Sequence, residues 1–208
     1  DFVNLTLTKM AFGGLFDTVD GGFSRYSVDL KWHVPHFEKM LYDNGQLVSL
    51  YADAYKLTQN SLYKEVIEKT LQFISRELIN NENGFYCALD ADSLDDKGHL
   101  EEGAFYVWNK TDLEKIITED FELFSQVFNI NEFGYWENSN YVLIQNQELE
   151  IIAKRNDLKL SELQIKKRNW EKLLFTEREE RSKPRLDDKS LTSWNAIMLE
   201  GYIDAYKA

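Results

Sequence analysis

Two apolar stripes of helical period, separated by three polar residues, constrain this chain most. After Pro35, residues Phe37, Met40, Leu41, Leu47, Val48, Tyr51, Ala54 and Tyr55 recur at helical spacing, with Asn44 the one polar member. A second stripe, Tyr63, Val66, Ile67, Leu71, Ile74 and Leu78, follows Thr58-Gln59-Asn60 and ends at Asn83-Gly84. So short a link predicts antiparallel neighbours.

The period then changes. "GFYCAL" and "GAFYVW" are short aromatic and β-branched runs, each opened by a glycine, and predict strands at about 85–90 and 104–108 of one long hairpin. Their connection, "DADSLDDKGHLEEG", is strongly acidic. Thr111 with Glu114, and Ser161 with Gln164, have capping-box spacing and predict helices, the second running to about Arg181. "YWENSNYVLI" reads as irregular chain or a short strand. Thr192 is placed as the cap of a last helix carrying Trp194, Ile197, Met198 and Tyr202. The two prolines, Pro35 and Pro184, punctuate the chain. No Gly/Ser-rich linker divides it, so residues 1–208 are expected as one mainly α domain with one inserted β-hairpin. Helical hairpins joined by alternating short and long loops suit an α/α toroid. The 21–36, 90–102 and 185–192 loops would then gather at one end. Periodicity alone does not separate this from other all-α folds.

The net charge of −12 argues against nucleic acid and anionic membrane surfaces as partners. No apolar run approaches the roughly 18 residues that span a bilayer. A single cysteine, Cys87, fits a reducing compartment, and the cytoplasm is expected. The chain opens at Asp1 without methionine and stops at Ala208 within a helical pattern, so a piece of a longer protein is expected.

Chemistry concentrates in "WHVPHFEKMLYDN" (32–44). On a helix starting near Pro35, His36, Met40, Asp43 and Leu47 share one edge, with Glu38 and Tyr42 roughly opposite. His36 and Asp43 then read as an oriented acid/base pair. The plainer reading is a helix-start histidine and an aspartate satisfied by a loop. Glu38 is either a lumen carboxylate or a first-turn acid favouring the helix N-terminus. Asp95 and Asp96 read as a solvated acidic tip, whereas Asp90 and Asp92 end an aromatic strand, and paired carboxylates beside aromatics suit a glycosidase or a sugar-hydroxyl clamp. Asp90, Asp92, Asp96 and Glu101 fit EF-hand positions 1, 3, 7 and 12, but Asp95 replaces the required glycine and the flanks are not helical. No metal or cofactor is assigned. Arg25 and Tyr26 follow Gly21-Gly22. Arg25 binds a substrate anion or pairs with Asp29. Asp188 and Lys189 are catalytic and substrate-binding candidates, or a salt-bridged loop. Trp32, Trp108 and Trp194 stack on sugar rings or fill core.

"GGFSRYSVDLKW" (21–32), "VPHFEKMLYDN" (34–44), "LDADS…EEGAFYVW" (89–108) and "RLDDKSLTSWN" (185–195) together resemble the YyaL-type family, also called the spermatogenesis-associated, thioredoxin-like or DUF255 family. The matching stretches run from residue 13 to residue 199. The resemblance implies a thioredoxin-like domain followed by an (α/α)6 barrel like those of sugar epimerases and six-hairpin glycosidases. This chain carries no thioredoxin-like segment and no Cys-x-x-Cys. It looks like the barrel portion, with about seven of the twelve helices of a full toroid. The resemblance implies a fold and not a reaction; the first reading of the residues is acid/base chemistry on a carbohydrate or polyol, as an epimerase, isomerase or glycosidase. Its catalytic candidates are His36, Glu38, Asp43, Asp90, Asp92 and Asp188. Its substrate contacts are Arg25, Tyr26, Trp32, Trp108, Lys189, Trp194 and Asn195. The alternative is a non-catalytic ligand-binding or scaffold module whose partner is the thioredoxin-like domain. In a third reading the polar cluster only locks loops between helices.

Overall fold

The computed structural model describes residues 2–208. Three helices near the N-terminus form the first layer. They are α1 (Phe2–Phe12), α2 (Leu41–Thr58) and α3 (Ser61–Phe73), the last running on into a π turn at Ile74–Leu78. Between α1 and α2 lie β1 (Tyr26–Ser27), β2 (Pro35–His36) and β3 (Lys39–Met40). Then come β4 (Ala88–Leu89), β5 (Asp92–Leu94), β6 (Leu100–Glu102) and β7 (Trp108–Asn109). A second helical layer follows: α4 (Lys110–Ile116), α5 (Phe121–Phe128), α6 (Leu149–Arg155) and α7 (Leu160–Arg178), with β8 (Asn140–Tyr141) after α5. The strand β9 (Leu186–Asp187) leads into α8 (Thr192–Lys207). The protein is mainly α.

The apolar stripes of α2 and α3 meet as their spacing predicts. Leu41, Val48, Tyr51, Tyr63, Val66 and Ile67 are buried together with Leu7 and Ala11 of α1. Tyr51 donates its hydroxyl to the Leu7 carbonyl at 2.7 Å, so the buried phenol has a partner. The side chain of Asn60 accepts from the Leu62 N–H and starts α3.

The last helix, α8, lies parallel to α2 in a constant register. The Tyr42 and Trp194 rings meet at 4.7 Å, Gly45 faces Ile197 and Met198, and Gly201 faces Val48. Glycine permits this closeness, because a Cβ on Gly201 would sit 2.8 Å from the Gly45 carbonyl oxygen.

The second layer has its own core of Trp108, Leu113, Phe124, Phe128, Leu163, Trp170 and Leu174. Two buried ionic clusters tie it to the first. In one, Asp17 accepts from Lys39 Nζ at 2.8 Å and from both terminal nitrogens of Arg178 at 3.2 and 2.8 Å. The Lys39 side chain is 0% exposed and that of Arg178 2%. Asp20 joins through Arg76 and Arg178. Burial pushes the Asp17 carboxyl up, but Arg178 and Lys39 outweigh it and hold the group well below the usual range. In the other, Glu171 takes Thr18, Lys69 and Lys167, and Lys167 also reaches Glu65. Gly21-Gly22 proves to be a turn, with both residues at positive φ and the Gly21 carbonyl receiving Lys39.

Several local expectations need correction. The helix begins at Leu41, not near Pro35, because residues 39–40 are extended and pair with β4, Lys39 opposite Leu89 and Met40 opposite Ala88. The long hairpin joining 85–90 to 104–108 does not form. The hairpin is β5–β6, with Asp92 opposite Glu102, while β4 is the centre of a β3-β4-β9 sheet. Residues 103–106 are a turn that pushes Phe105 and Tyr106 into the interior. The carbonyls freed there accept from Arg181 Nη1, at 3.1 Å for Phe105 and 2.8 Å for Val107. Asn109, not Thr111, caps α4, accepting from Asp112 N–H. Helix α7 opens at Leu160, where Glu162 accepts from the Lys159 N–H, and ends at Arg178. At α8 the N-cap is Leu191, and Thr192 is already helical.

Gly201→Ala should lower stability by about 1–3 kcal/mol in urea unfolding, because α8 must move off α2 to admit the methyl. Asp17→Asn should cost about 3–5 kcal/mol, since it leaves two buried cations without their carboxylate. The Asp17 contribution is present above the unfolded value of 3.8 and fades as pH falls below it. Wild type should therefore lose an acid-side component of stability that the variant lacks.

Candidate functional site

The short extended run before α2 sorts neighbouring side chains to opposite faces. Lys39 goes inward to Asp17. Glu38 goes outward and accepts from Arg25 Nη1 at 3.1 Å. The β1–β2 pair sets Tyr26 opposite His36, and the phenol ring stacks on the imidazole with centroids 4.9 Å apart. His36 Nδ1 lies 2.7 Å from Glu102 Oε1, and Nε2 lies 3.7 Å from Glu38 Oε2. Glu102 also accepts the Phe37 N–H at 3.3 Å.

Behind these groups, Met40, Cys87 and Ala88 are buried under Tyr42 and Trp194. Tyr42 foremost, and Glu38 after it, favour the charged Arg25 guanidinium and raise its pKa. Asp43, in the first turn of α2, is half-buried, and its Oδ2 is buried without a hydrogen-bond partner among the described residues. Burial pushes this carboxyl up to about 6; Arg25 opposes the shift and Glu38 adds to it.

The structure therefore brings together Arg25, Tyr26, His36, Glu38 and Asp43, with Trp194 joined through Tyr42. Three segments distant in sequence meet here, since the 39–40, 88–89 and 186–187 strands form one sheet. Asp90, one residue beyond the Lys39–Leu89 pair, stands at the register position next to Glu38. Its N–H donates to the Arg185 carbonyl and its Oδ1 accepts from Ala91 N–H. Asp92 is exposed on β5 opposite Glu102.

Other candidates fall elsewhere or are already engaged. His36 and Asp43 are not stacked along a helix edge, because His36 precedes α2. Arg25 pairs with Glu38 and not with Asp29, whose carboxylate accepts from the Lys31, His33 and Val34 N–H groups. Those backbone bonds hold Asp29 below its usual pKa against the opposing effect of burial. Trp32 sits at positive φ and packs on the first core, with its carbonyl accepting from Gly14. Trp108 is 1% exposed and faces the Arg181 guanidinium at 3.8 Å, so it has no face free for a sugar. Asn195 spends its amide on both backbone groups of Phe85. Asp188 is exposed, and Lys189 pairs with Asp187 at 2.9 Å. Tyr42 and Glu102 were not singled out from sequence. Tyr42 lies in the 32–44 stretch itself, whereas Glu102 was hidden in a run of acids.

An open groove of about 510 Å³ lies at the opposite end of α2, between Asn4, Leu5, Thr8, Thr58, Asn60 and Tyr63. It holds no titratable cluster, so we place the candidate site at the N-terminal end of α2.

Fold and cluster together define a mainly helical protein with carboxylates, an imidazole, a guanidinium and aromatic rings gathered where two parallel helices begin. No helix among the described residues is long and apolar enough to cross a membrane. The chain is 37% identical to spermatogenesis-associated protein 20 of Homo sapiens over 217 residues, which cover 95% of this chain and 28% of that protein. The Mus musculus protein of that name is 35% identical over the same shares. An uncharacterized protein of Caenorhabditis elegans, B0495.5, is 33% identical over 98% of this chain and 30% of its own length. The chain thus spans under a third of these relatives. No family model matches it.

Asp43→Asn should stabilise the protein at neutral pH. Between pH 3.8 and about 6 the folded state keeps a proton that the unfolded state releases, so stability falls as pH rises through that window. Removing the carboxyl should recover about 1 kcal/mol above pH 6, discounted for the group's exposure, and nothing below pH 4. Thermal melting across pH checks it.

Proposed function

We propose that this chain is part of an (α/α)6 toroid that acts on a carbohydrate or polyol by acid/base chemistry, as an epimerase, isomerase or glycosidase-like enzyme. The observation that carries the reading is Asp43: a carboxyl with a buried, unpartnered oxygen and a pKa near 6, beside Arg25 and Glu38. A group poised near neutrality can both give and take a proton at working pH. In this reading Asp43 exchanges the proton. Glu38 and His36 serve the same centre, with Asp90 at its margin. Arg25 orients a substrate oxygen, and Tyr26 and Trp194 offer aromatic faces to the ring.

The toroid is supported by the parallel course of α2 and α8, with α3 antiparallel to α2. Successive hairpins rotated about one axis keep their corresponding helices parallel. The resemblance to the YyaL-type family and the partial coverage of longer relatives favour a barrel portion working beside a thioredoxin-like domain. A free, buried Cys87 favours a cytoplasmic setting.

A second reading has its own support. Arg25, Glu38, His36 and Glu102 already pair with one another, as they would in a non-catalytic binding or scaffold module that serves the thioredoxin-like domain.

The test is a screen of sugars and polyols against the full-length protein by ligand-observed NMR, followed by turnover assays on hits. Asp43→Asn should retain binding and lose turnover by roughly 10²-fold or more. Binding with unchanged turnover in that variant would assign the proton elsewhere. Binding with no turnover in wild type would favour the second reading.

A further inference from the structure

We propose that Glu102 is a positioning residue: carried on the β5–β6 hairpin, it fixes His36 as the Nδ1–H tautomer and so leaves Nε2 as the nitrogen that faces the cluster. The role assigned to Nε2 rests on the acid/base reading above; the tautomer itself does not.

The argument starts from donor and acceptor capacity. An ionised carboxylate only accepts, so a contact of 2.7 Å between Glu102 Oε1 and Nδ1 requires the proton on Nδ1. The same carboxylate accepts from the Phe37 N–H, which fixes its position against the strand that carries His36. The imidazole plane is set by Tyr26, stacked at 4.9 Å and 21°. With the ring held at one edge and one face, Nε2 is directed toward Glu38, whose Oε2 lies 3.7 Å away and also receives Arg25.

The groups facing the imidazole are Glu102 from β6, Glu38 from the stretch between β2 and β3, and Tyr26 from β1, with Arg25 acting through Glu38. Which ring nitrogen carries the proton follows from the bond made by the other. A neutral His36 in this tautomer has its lone pair on Nε2. It can take a proton there from a substrate hydroxyl, becoming imidazolium while the oxygen becomes alkoxide. Glu102 stabilises the cation by keeping the Nδ1–H bond, and no further reactant is needed.

The hairpin gives Glu102 its place. Asp92 pairs with Glu102, and the Gly103 N–H closes the base by donating to the Ala91 carbonyl. Beyond that base Ser93 is buried, its hydroxyl oxygen accepting from the Phe105 N–H, while Leu94 and Leu100 toward the tip are exposed. A side chain from the exposed strand β6 thus sets the state of a ring in the cluster.

The test is long-range ¹H–¹⁵N NMR of the imidazoles in ¹⁵N-labelled protein without ligand. There are three histidines, and His36→Asn assigns the signals of His36 by their loss. Wild type should show the Nδ1–H pattern when neutral. Glu102→Ala should move His36 to the Nε2–H form that free imidazole side chains favour in water. Glu102→Gln, which keeps an acceptor oxygen, should retain Nδ1–H and remains informative if the alanine variant folds poorly. An Nε2–H pattern in wild type, or an Nδ1–H population unchanged in Glu102→Ala, overturns the proposal. Loss of Nδ1–H in a folded Glu102→Gln does the same. Where a substrate is turned over, Glu102→Ala should lower kcat with KM held. A protein that binds no sugar yet shows these tautomers keeps the positioning role and loses the acid/base reading, so the two fail separately.

Discussion

The contact on which the rest depends is the buried bridge of Asp17 with Lys39 and Arg178. Removing such charges from water costs several kcal/mol per ion, and only close partners offset it. Here each cation has more than one. Lys39 meets Asp17 and the Gly21 carbonyl, and it lies 4.5 Å from the Phe73 ring centre and 4.9 Å from that of Tyr106. Arg178 is bidentate on Asp17 and stands over Phe105 and Tyr106. Because both cations are unsatisfied anywhere else, the 17–22 turn, the β3 strand and the end of α7 have one mutual arrangement. A purely apolar junction between the two layers would be less particular about register.

That bridge also forms the cluster on the other side of the strand. Lys39 and Glu38 are consecutive, and extended backbone sends them apart. Once Lys39 is drawn down to Asp17, Glu38 must face outward, where Arg25 and His36 lie. Helical backbone here would have turned Glu38 by only about 100° from Lys39 and spoiled this separation. The strand is therefore the economical solution, although Phe37, Met40 and Leu41 carry a helical spacing.

This explains what could be read in advance. The α2 and α3 stripes, their short link and the choice of a mainly helical class rest on contacts local in sequence, and the pattern records them. The start of α2 was misread because the signal that ends helical backbone at Met40 is its pairing with Ala88, which no local pattern shows. Arg178 reaches Asp17 across 161 positions and His36 reaches Glu102 across 66, so neither pair leaves a periodic trace. Of the cluster, the polar stretch 32–44 was legible as unusual composition. The exchange of partners within it was not: Arg25 takes Glu38 and releases Asp29 to cap backbone N–H groups. Trp108 and Trp194 show the same limit, for one tryptophan became core and the other packs beside Tyr42 at the cluster.

Convergence of the cluster follows from the sheet. Strands β3 and β9 both pair antiparallel with β4 and so run parallel to each other. Each feeds a helix, α2 directly and α8 after a short link. With β4 between them, the two strands start their helices from the same end of the sheet and in the same direction, and Gly45 with Gly201 lets those helices close. Their first turns must then lie together, which is why Tyr42 and Trp194 touch although no local pattern relates them. Asp43 sits in the same first turn of α2. Burial raises its carboxyl, Arg25 opposes the shift and Glu38 adds to it, so its proton affinity is set where the segments leading into α2 converge on the first turn of that helix.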